Sequence, residues 1–136
     1  MAVLRIDLDA DIAAVAQLAD EAGAFAAACG LGDEAVSRLL TVLDEVVTNV
    51  VAHAGLAAGA TIGVELRQRR KGLGVVVEDE GPPFDPLSEA RPPVLSGAAT
   101  DRPIGGLGIF LLQGLASEVA YLRTPQGRNR LSFHVA

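Results

Sequence analysis

Polar and apolar residues alternate along several short stretches of this chain, and a period of two is typical of half-buried β-strands. The predicted strands cover residues 3–8, 60–67, 73–79, 118–124 and 130–135. In the third of them, Leu73, Val75 and Val77 share one face with Asp79. The pattern therefore predicts a sheet with one apolar face, and it places a carboxylate at the end of that face.

Between the first two strands, apolar residues recur every three or four positions, which predicts two amphipathic helices. Asp9 is the predicted N-cap of the first helix, and the glycines after residue 29 end it. Asp33 is the predicted cap of the second helix, which runs to about Ala54 before Gly55 ends it.

A stretch rich in proline, glycine, alanine and serine occupies residues 81–106, and a helix over 107–116 is predicted to follow it. This stretch exceeds the usual ceiling of about 12–15 residues for a loop without structure, which indicates a functional lid. The order β, α, α, β, β, lid, α, β, β predicts an α+β fold in one domain, residues 1–136. We expect a two-layer sandwich, in which a mixed, mostly antiparallel sheet is covered on one face by about three helices.

Composition and charge narrow the range of partners. The net charge of −6 opposes binding to a phosphate backbone or to an anionic membrane surface, and few aromatic side chains are present to stack bases. We therefore expect no nucleic acid and no membrane among the partners. Cys29 is the only cysteine, and the chain opens without a secretory signal pattern, so a cytoplasmic location is expected.

One polar stripe on the second predicted helix contains candidate site residues. At about 100° per residue, Thr41, Glu45, Asn49 and His53 lie on this stripe. A solvated face is one interpretation, but Asn49 is a poor helix former, which favours a functional role. The oxygens of Glu45 and Asn49 suit a hard cation such as Mg²⁺, or a water molecule held between them. The residues alone leave both interpretations open.

Asp79 is the second candidate. If its face of the strand is buried, the carboxylate lies at the edge of the core and needs hydrogen-bond donors. The exocyclic amine of adenine would supply one, whereas guanine presents a carbonyl oxygen there. An unsatisfied buried acceptor costs about 1–3 kcal/mol, so such a site would prefer adenine by roughly tenfold to a hundredfold. Gly81 would let the backbone approach the ligand closely. An ordinary Asp-x-Gly turn is the alternative.

A glycine-rich turn precedes the helix predicted over residues 107–116. Gly105, Gly106 and Gly108, with Leu107 between them, would bare backbone N–H groups at the start of this helix, where a phosphate is favoured. Many ordinary loops carry glycine, so the turn alone is weak support. Neither the dinucleotide fingerprint nor the Gly-Lys-Ser/Thr phosphate loop is present.

Taken in order, three motifs resemble the nucleotide site of the GHKL ATPases, which include gyrase, a heat-shock chaperone, histidine kinases and a mismatch-repair ATPase. They are Glu-x-x-x-Asn-x-x-x-His on a helix, Asp-x-Gly-x-x-Phe after a strand and Gly-Gly-Leu-Gly before a helix. The segments at 79–86 and 127–133 are similar to one branch, the anti-sigma factor serine/threonine kinases of bacterial partner-switching systems. The resemblance covers essentially the whole chain and implies a Bergerat-type ATP-binding fold.

The resemblance also implies ATP and Mg²⁺ as cofactors and a role for each motif. Asn49 would hold the Mg²⁺, and Glu45 would be the general base for a substrate Ser or Thr hydroxyl. Asp79 would bind the adenine amine beside Gly81, and His53 would line the nucleotide pocket. The helix start would meet the phosphates through Gly105, Gly106, Leu107 and Gly108.

The stretch over residues 85–104 would be the ATP lid of such a kinase. Pro83 departs from the wider superfamily, in which a second glycine often stands there, and it should stiffen the base of the lid. Arg91 and Arg102 are candidates to stabilise the transferring phosphoryl group, although the sequence favours solvated loop charges for both.

Three functions compete for this sequence. The first is a kinase that phosphorylates a small anti-sigma antagonist protein and also binds a sigma factor, with a homodimer compatible with this family. The second is a non-catalytic ATP-binding module that sequesters a partner. Glu45 favours the kinase, because a pure binder needs no base. The third, the catalytic domain of a histidine kinase, is disfavoured because the chain shows no phosphoacceptor helix pair.

Overall fold

The computed structural model of the chain describes residues 1–53, 59–89 and 112–136. Its helices and strands follow one another as β1 (Val3–Asp9), α1 (Ile12–Ala28), α2 (Asp33–His53), β2 (Thr61–Gln68), β3 (Leu73–Asp79), α3 (Pro86–Glu89), β4 (Ser117–Arg123) and β5 (Asn129–Val135). Residues 112–115 are also helical, as predicted for the end of the helix over 107–116. Within the described ranges, no helix is both long and apolar enough to cross a membrane.

The five strands form one sheet in the order β1-β2-β3-β5-β4. Every pair of neighbouring strands in this sheet is antiparallel. The hairpin between β2 and β3 is closed by a hydrogen bond of 3.1 Å from the Arg69 N–H to the Gly72 carbonyl. Gly72 has φ 80°, and a Cβ atom there would lie 2.1 Å from the Val135 carbonyl oxygen, so glycine is required.

The core lies between the helices and one face of the sheet, as the alternating pattern predicts. On β3, Leu73, Val75, Val77 and Asp79 are all buried. The helices contribute a second set of buried apolar side chains, namely Val15, Leu18, Ala22, Ala26, Leu39, Val42, Leu43, Val46 and Val47. The predicted α+β two-layer sandwich is therefore confirmed. The sheet was predicted to be mixed and mostly antiparallel, and its described strands all pair antiparallel.

Two helix starts differ from the prediction. Asp11 caps α1, since its side chain accepts a hydrogen bond of 2.9 Å from the Ala13 N–H. Asp9 is not the cap because β1 continues through it, where it pairs with Thr61 of β2. Asp33 is the first helical residue of α2, where its charge complements the helix dipole. The predicted stop at Gly55 lies outside the described residues.

Candidate functional site

A row of four side chains crosses the sheet at the end where β3 stops. The strand register aligns Ile62 of β2 with Asp79 of β3, Asp79 with Asn129 of β5, and Asn129 with Arg123 of β4. Asp79 and Asn129 are each 5% exposed and are the only buried polar residues in the described part of the chain. Because buried polar groups need partners, Asp79 and Asn129 require hydrogen bonds at this end of the sheet.

The carboxylate of Asp79 is held by one of its two oxygens. Its Oδ1 accepts hydrogen bonds of 2.9 Å from the Gly81 N–H and 2.9 Å from the Asn129 side-chain amide. No described residue donates a hydrogen bond to its Oδ2 atom. Every fully buried side-chain oxygen among the described residues has a hydrogen-bond partner, so an oxygen without one must be reached by solvent. Oδ2 is therefore accessible and remains available as an acceptor for a ligand.

The side chain of Asn129 connects the row to the loop that follows β3. Its Oδ1 accepts from the Phe84 N–H at 3.0 Å, the Tyr121 hydroxyl at 2.6 Å and an Arg123 guanidinium N–H at 3.3 Å. Its Nδ2 donates to Asp79 and, at 2.9 Å, to the Pro82 carbonyl. These partners fix the orientation of the amide, since a flip would set its NH₂ group against the Phe84 N–H and the Arg123 guanidinium, and its oxygen against the Pro82 carbonyl.

A pocket lies between α2 and this end of the sheet. Asn49 of α2 lines it on one side, and Asp79 and Asn129 line it on the other. The rest of the lining is mostly apolar: Val46, Val50, Val77, Phe84, Pro86, Tyr121 and Leu131. An apolar pocket with a few polar groups is typical of a small-molecule site.

The structure brings together some of the predicted site residues. Asn49 and Asp79 share the pocket, and Gly81 is buried directly after Asp79. Glu45 is half-buried one helical turn before Asn49 but does not line the pocket. His53 is the last residue of α2, and its side chain lies outside the described part.

Several of the predicted contacts fall on residues that the structure does not describe. These are the predicted phosphate contacts Gly105, Gly106, Leu107 and Gly108, the candidate arginines Arg91 and Arg102, and residues 90–104 of the predicted lid. The described start of the predicted lid contains the short helix α3, whose Leu87 N–H donates to the Asp85 carboxylate at 2.9 Å.

The donor set of α2 fits Mg²⁺ only if the ligand contributes to its coordination. No group of three or more His, Cys, Asp or Glu side chains able to hold a metal is found among the described residues. Mg²⁺ commonly takes one or two protein oxygens together with water and substrate phosphates. The oxygens of Asn49 and Glu45, one turn apart on α2, are compatible with that second arrangement.

Asn129 was missed as a site residue by the sequence reasoning. The sequence feature that indicates Asn129 is the same one that indicated Asp79. Asn129 continues the apolar face of Leu131, Phe133 and Val135, just as Asp79 continues that of β3. A polar residue at the end of an apolar strand face is therefore informative on both strands.

Fold and pocket together define an α+β sandwich with a candidate ligand site between its long second helix and the end of its sheet. The chain belongs to the histidine kinase-like ATPase domain family, whose model matches residues 8–134. The resemblance stated from the three motifs is thereby confirmed at the level of the family.

The chain is also similar to one named protein and to one solved structure. The chain is similar to the serine/threonine-protein kinase BtrW of Bordetella bronchiseptica, with 32% identity over 90 residues that cover 65% of this chain. The match covers 62% of that relative's length. The crystal structure of the RsbU and RsbW domains of Rv1364c from Mycobacterium tuberculosis matches with a TM-score of 0.66 and 17% identity. It covers 99% of this chain and 33% of the solved chain, and it supports the fold.

Replacing the Asn129 amide is expected to destabilise the fold. Asn129→Ala leaves the Phe84 N–H, the Tyr121 hydroxyl and the Pro82 carbonyl without their partner. We expect the free energy of unfolding in urea to fall by about 1–3 kcal/mol, the cost of unsatisfied buried polar groups. Ser132→Ala on the same strand is the control, because Ser132 lies on the opposite face of the sheet. Equal midpoints for the two variants would contradict a central role of the amide.

Proposed function

We propose that this chain is an ATP-dependent serine/threonine protein kinase that phosphorylates a small anti-sigma antagonist protein and acts as an anti-sigma factor. The observation that carries the proposal is the pocket that joins Asn49 to Asp79, with the Asp79 Oδ2 atom accessible. Membership of the ATPase family and the similarity to a named serine/threonine kinase support the same activity.

In this proposal the adenine ring of ATP lies against the apolar lining of the pocket. Its exocyclic amine would donate to the Asp79 Oδ2 atom, while Oδ1 stays bound to Gly81 and Asn129. A 6-carbonyl purine would set an oxygen against the carboxylate instead, and neither acceptor would have a proton to share. The site therefore selects adenine through a repulsive contact as well as an attractive one.

Phosphoryl transfer requires positioning, a metal and a base more than covalent chemistry from the protein. Glu45 is half-buried on α2, on the pocket's side of the helix one turn before Asn49. In the proposed step its carboxylate takes the proton of a substrate Ser or Thr hydroxyl as that oxygen bonds to the γ-phosphorus. The bond from the γ-phosphorus to the bridging oxygen breaks, and ADP leaves. Asp44 is exposed and lies about 100° further around the helix, so it does not share this role.

Mg²⁺, when bound, would neutralise charge on the phosphates, and Asn49 is the residue proposed to hold it. Asn49→Ala is therefore expected to lower the affinity for ATP in the presence of magnesium and to remove most of the difference between titrations with and without the metal. Titration calorimetry with excess magnesium or excess chelator measures this difference. If the variant keeps the full magnesium effect, the assignment of Asn49 is wrong.

The experiment that tests the proposal is transfer of label from γ-labelled ATP to proteins of an extract from the organism that encodes the chain. A small labelled protein whose phosphate survives acid and is released by alkali is the expected result for phosphoserine or phosphothreonine. An acid-labile phosphate would instead support histidine phosphorylation. No transfer by a chain that binds ATP would support the second candidate, a non-catalytic module that sequesters its partner. Glu45 favours transfer, because sequestration needs no base.

A further inference from the structure

Arg123 is a part-buried cation behind the pocket, and none of the sequence motifs draws attention to it. It belongs to β4, at an edge of the sheet, and pairs in register with Asn129. One guanidinium nitrogen donates to the Gly81 carbonyl at 2.7 Å and to the Asn129 Oδ1 atom at 3.3 Å. Arg123 is not one of the residues that line the pocket.

Among the described residues, the hydrogen-bond partners of Arg123 are all uncharged. The six ion pairs between described residues involve Arg5, Arg67, Arg69, Arg128 and Arg130, and neither Arg123 nor Asp79 takes part in one. A guanidinium always carries its charge, and a buried carboxylate is costly without compensation. Along the row of side chains, the positive charge next to the Asp79 carboxylate is that of Arg123, and the Asn129 amide lies between the guanidinium and the carboxylate.

The orientation of that amide connects the cation to the carboxylate. Its oxygen faces the donors, Arg123 among them, and its nitrogen donates to the Asp79 Oδ1 atom at 2.9 Å. A cation at an amide oxygen draws charge from the N–H group, so hydrogen bonds in such a chain strengthen one another. Arg123 also fixes Gly81 through its carbonyl, and the Gly81 N–H is the second donor to Oδ1.

We infer that Arg123 is a positioning residue for adenine recognition: through Asn129 and Gly81 it holds Oδ1 of Asp79 so that Oδ2 faces the purine 6-position. This inference rests on the proposed nucleotide site and adds a determinant of its specificity. Arg123 does not line the pocket, so we expect it to affect the ligand only through Asp79 and the purine 6-position that Asp79 would bind. Its loss should reduce the preference for a 6-amino purine over a 6-carbonyl purine, rather than affinity for triphosphates in general.

The test compares the affinities for ATP and inosine triphosphate, which differ at the purine 6-position. For Arg123→Gln we expect the ATP preference to fall by about twofold to tenfold, the range that one hydrogen bond is worth. Arg123→Lys keeps the charge and should retain more of the preference. Arg123→Met keeps the apolar stem, and it serves as the second removal variant if Arg123→Gln does not fold.

Arg130→Gln is the matched control, because it removes the same charge from the neighbouring strand. Arg130 pairs with Glu78 at 3.5 Å on the face of the sheet away from the pocket. Its variant should keep the parent ratio of affinities. An unchanged ratio in Arg123→Gln, with ATP still bound by the parent, would overturn the inference and leave the proposed function standing. Equal weakening toward both nucleotides would also overturn it, since that is the mark of a purely structural role. A parent chain without any preference would overturn the inference together with the placement of adenine at Asp79, whereas a parent chain that binds neither nucleotide would overturn the proposed function as well.

Discussion

Asp79→Asn is expected to weaken ATP binding by roughly tenfold to a hundredfold while the fold stays intact. The amide oxygen of the new side chain can still accept from Gly81 and Asn129, whose donors now hold Oδ1. The amide nitrogen must then take the place of Oδ2, where it meets the adenine amine as a second donor. The same nitrogen can donate to the 6-carbonyl of inosine triphosphate, so the preference between these nucleotides should be lost or reversed.

Calorimetric titration of both nucleotides into parent and variant measures this change. Glu78→Gln is the control, because it removes the same charge one residue earlier on β3. Glu78 pairs with Arg128 at 3.6 Å and Arg130 at 3.5 Å on the opposite face of the sheet. We expect this control to bind as the parent does. If Asp79→Asn kept both the parent affinity for ATP and the parent preference, the placement of adenine at Asp79 would be wrong.

Glu45→Gln is expected to reduce phosphoryl transfer by about 10²- to 10⁴-fold, the usual contribution of a general base. The affinity for ATP should change little, since Glu45 does not line the pocket that would hold the adenine. Transfer of γ-label to the substrate protein, measured under single-turnover conditions, separates the chemical step from product release.

Asp44→Asn is the control for this second prediction. Asp44 is adjacent in sequence and exposed, and its side chain points in a different direction around α2. It should transfer phosphate at the parent rate. Parent-like transfer by Glu45→Gln would exclude Glu45 as the base. If that variant lost transfer and ATP binding together, Glu45 would have a role in binding instead.

The fold was largely predictable from the sequence because its strands show a clear period of two and its helices a clear spacing of three or four. On β3 the predicted bounds, residues 73–79, coincide with the observed strand. The strand begins directly after the turn glycine Gly72, and its apolar face ends at the polar residue Asp79. The cap of α1 was less predictable, since Asp9 and Asp11 are both good caps and only the pairing of Asp9 with Thr61 decides between them.

The site was predictable only in part, because its polar network is assembled from distant segments. Asp79 and Asn49 stand in local motifs that a single stretch of sequence displays. The partners of Asn129 come from the loop after β3 and from β4, and their geometry depends on the order β3-β5-β4 in the sheet. Sequence alone does not state that order. Arg123 is harder still, since an arginine at the end of an edge strand is ordinarily a solvated charge.

The central claim about the molecule is that this pocket is an adenine nucleotide site in which Asp79 binds the purine 6-amino group. Titration of the parent chain with ATP and with inosine triphosphate, both in excess magnesium, tests that claim in one experiment. We predict binding of ATP at one site per chain, tighter than inosine triphosphate by roughly tenfold to a hundredfold. Equal affinity for the two nucleotides, or no binding of ATP, would contradict the account.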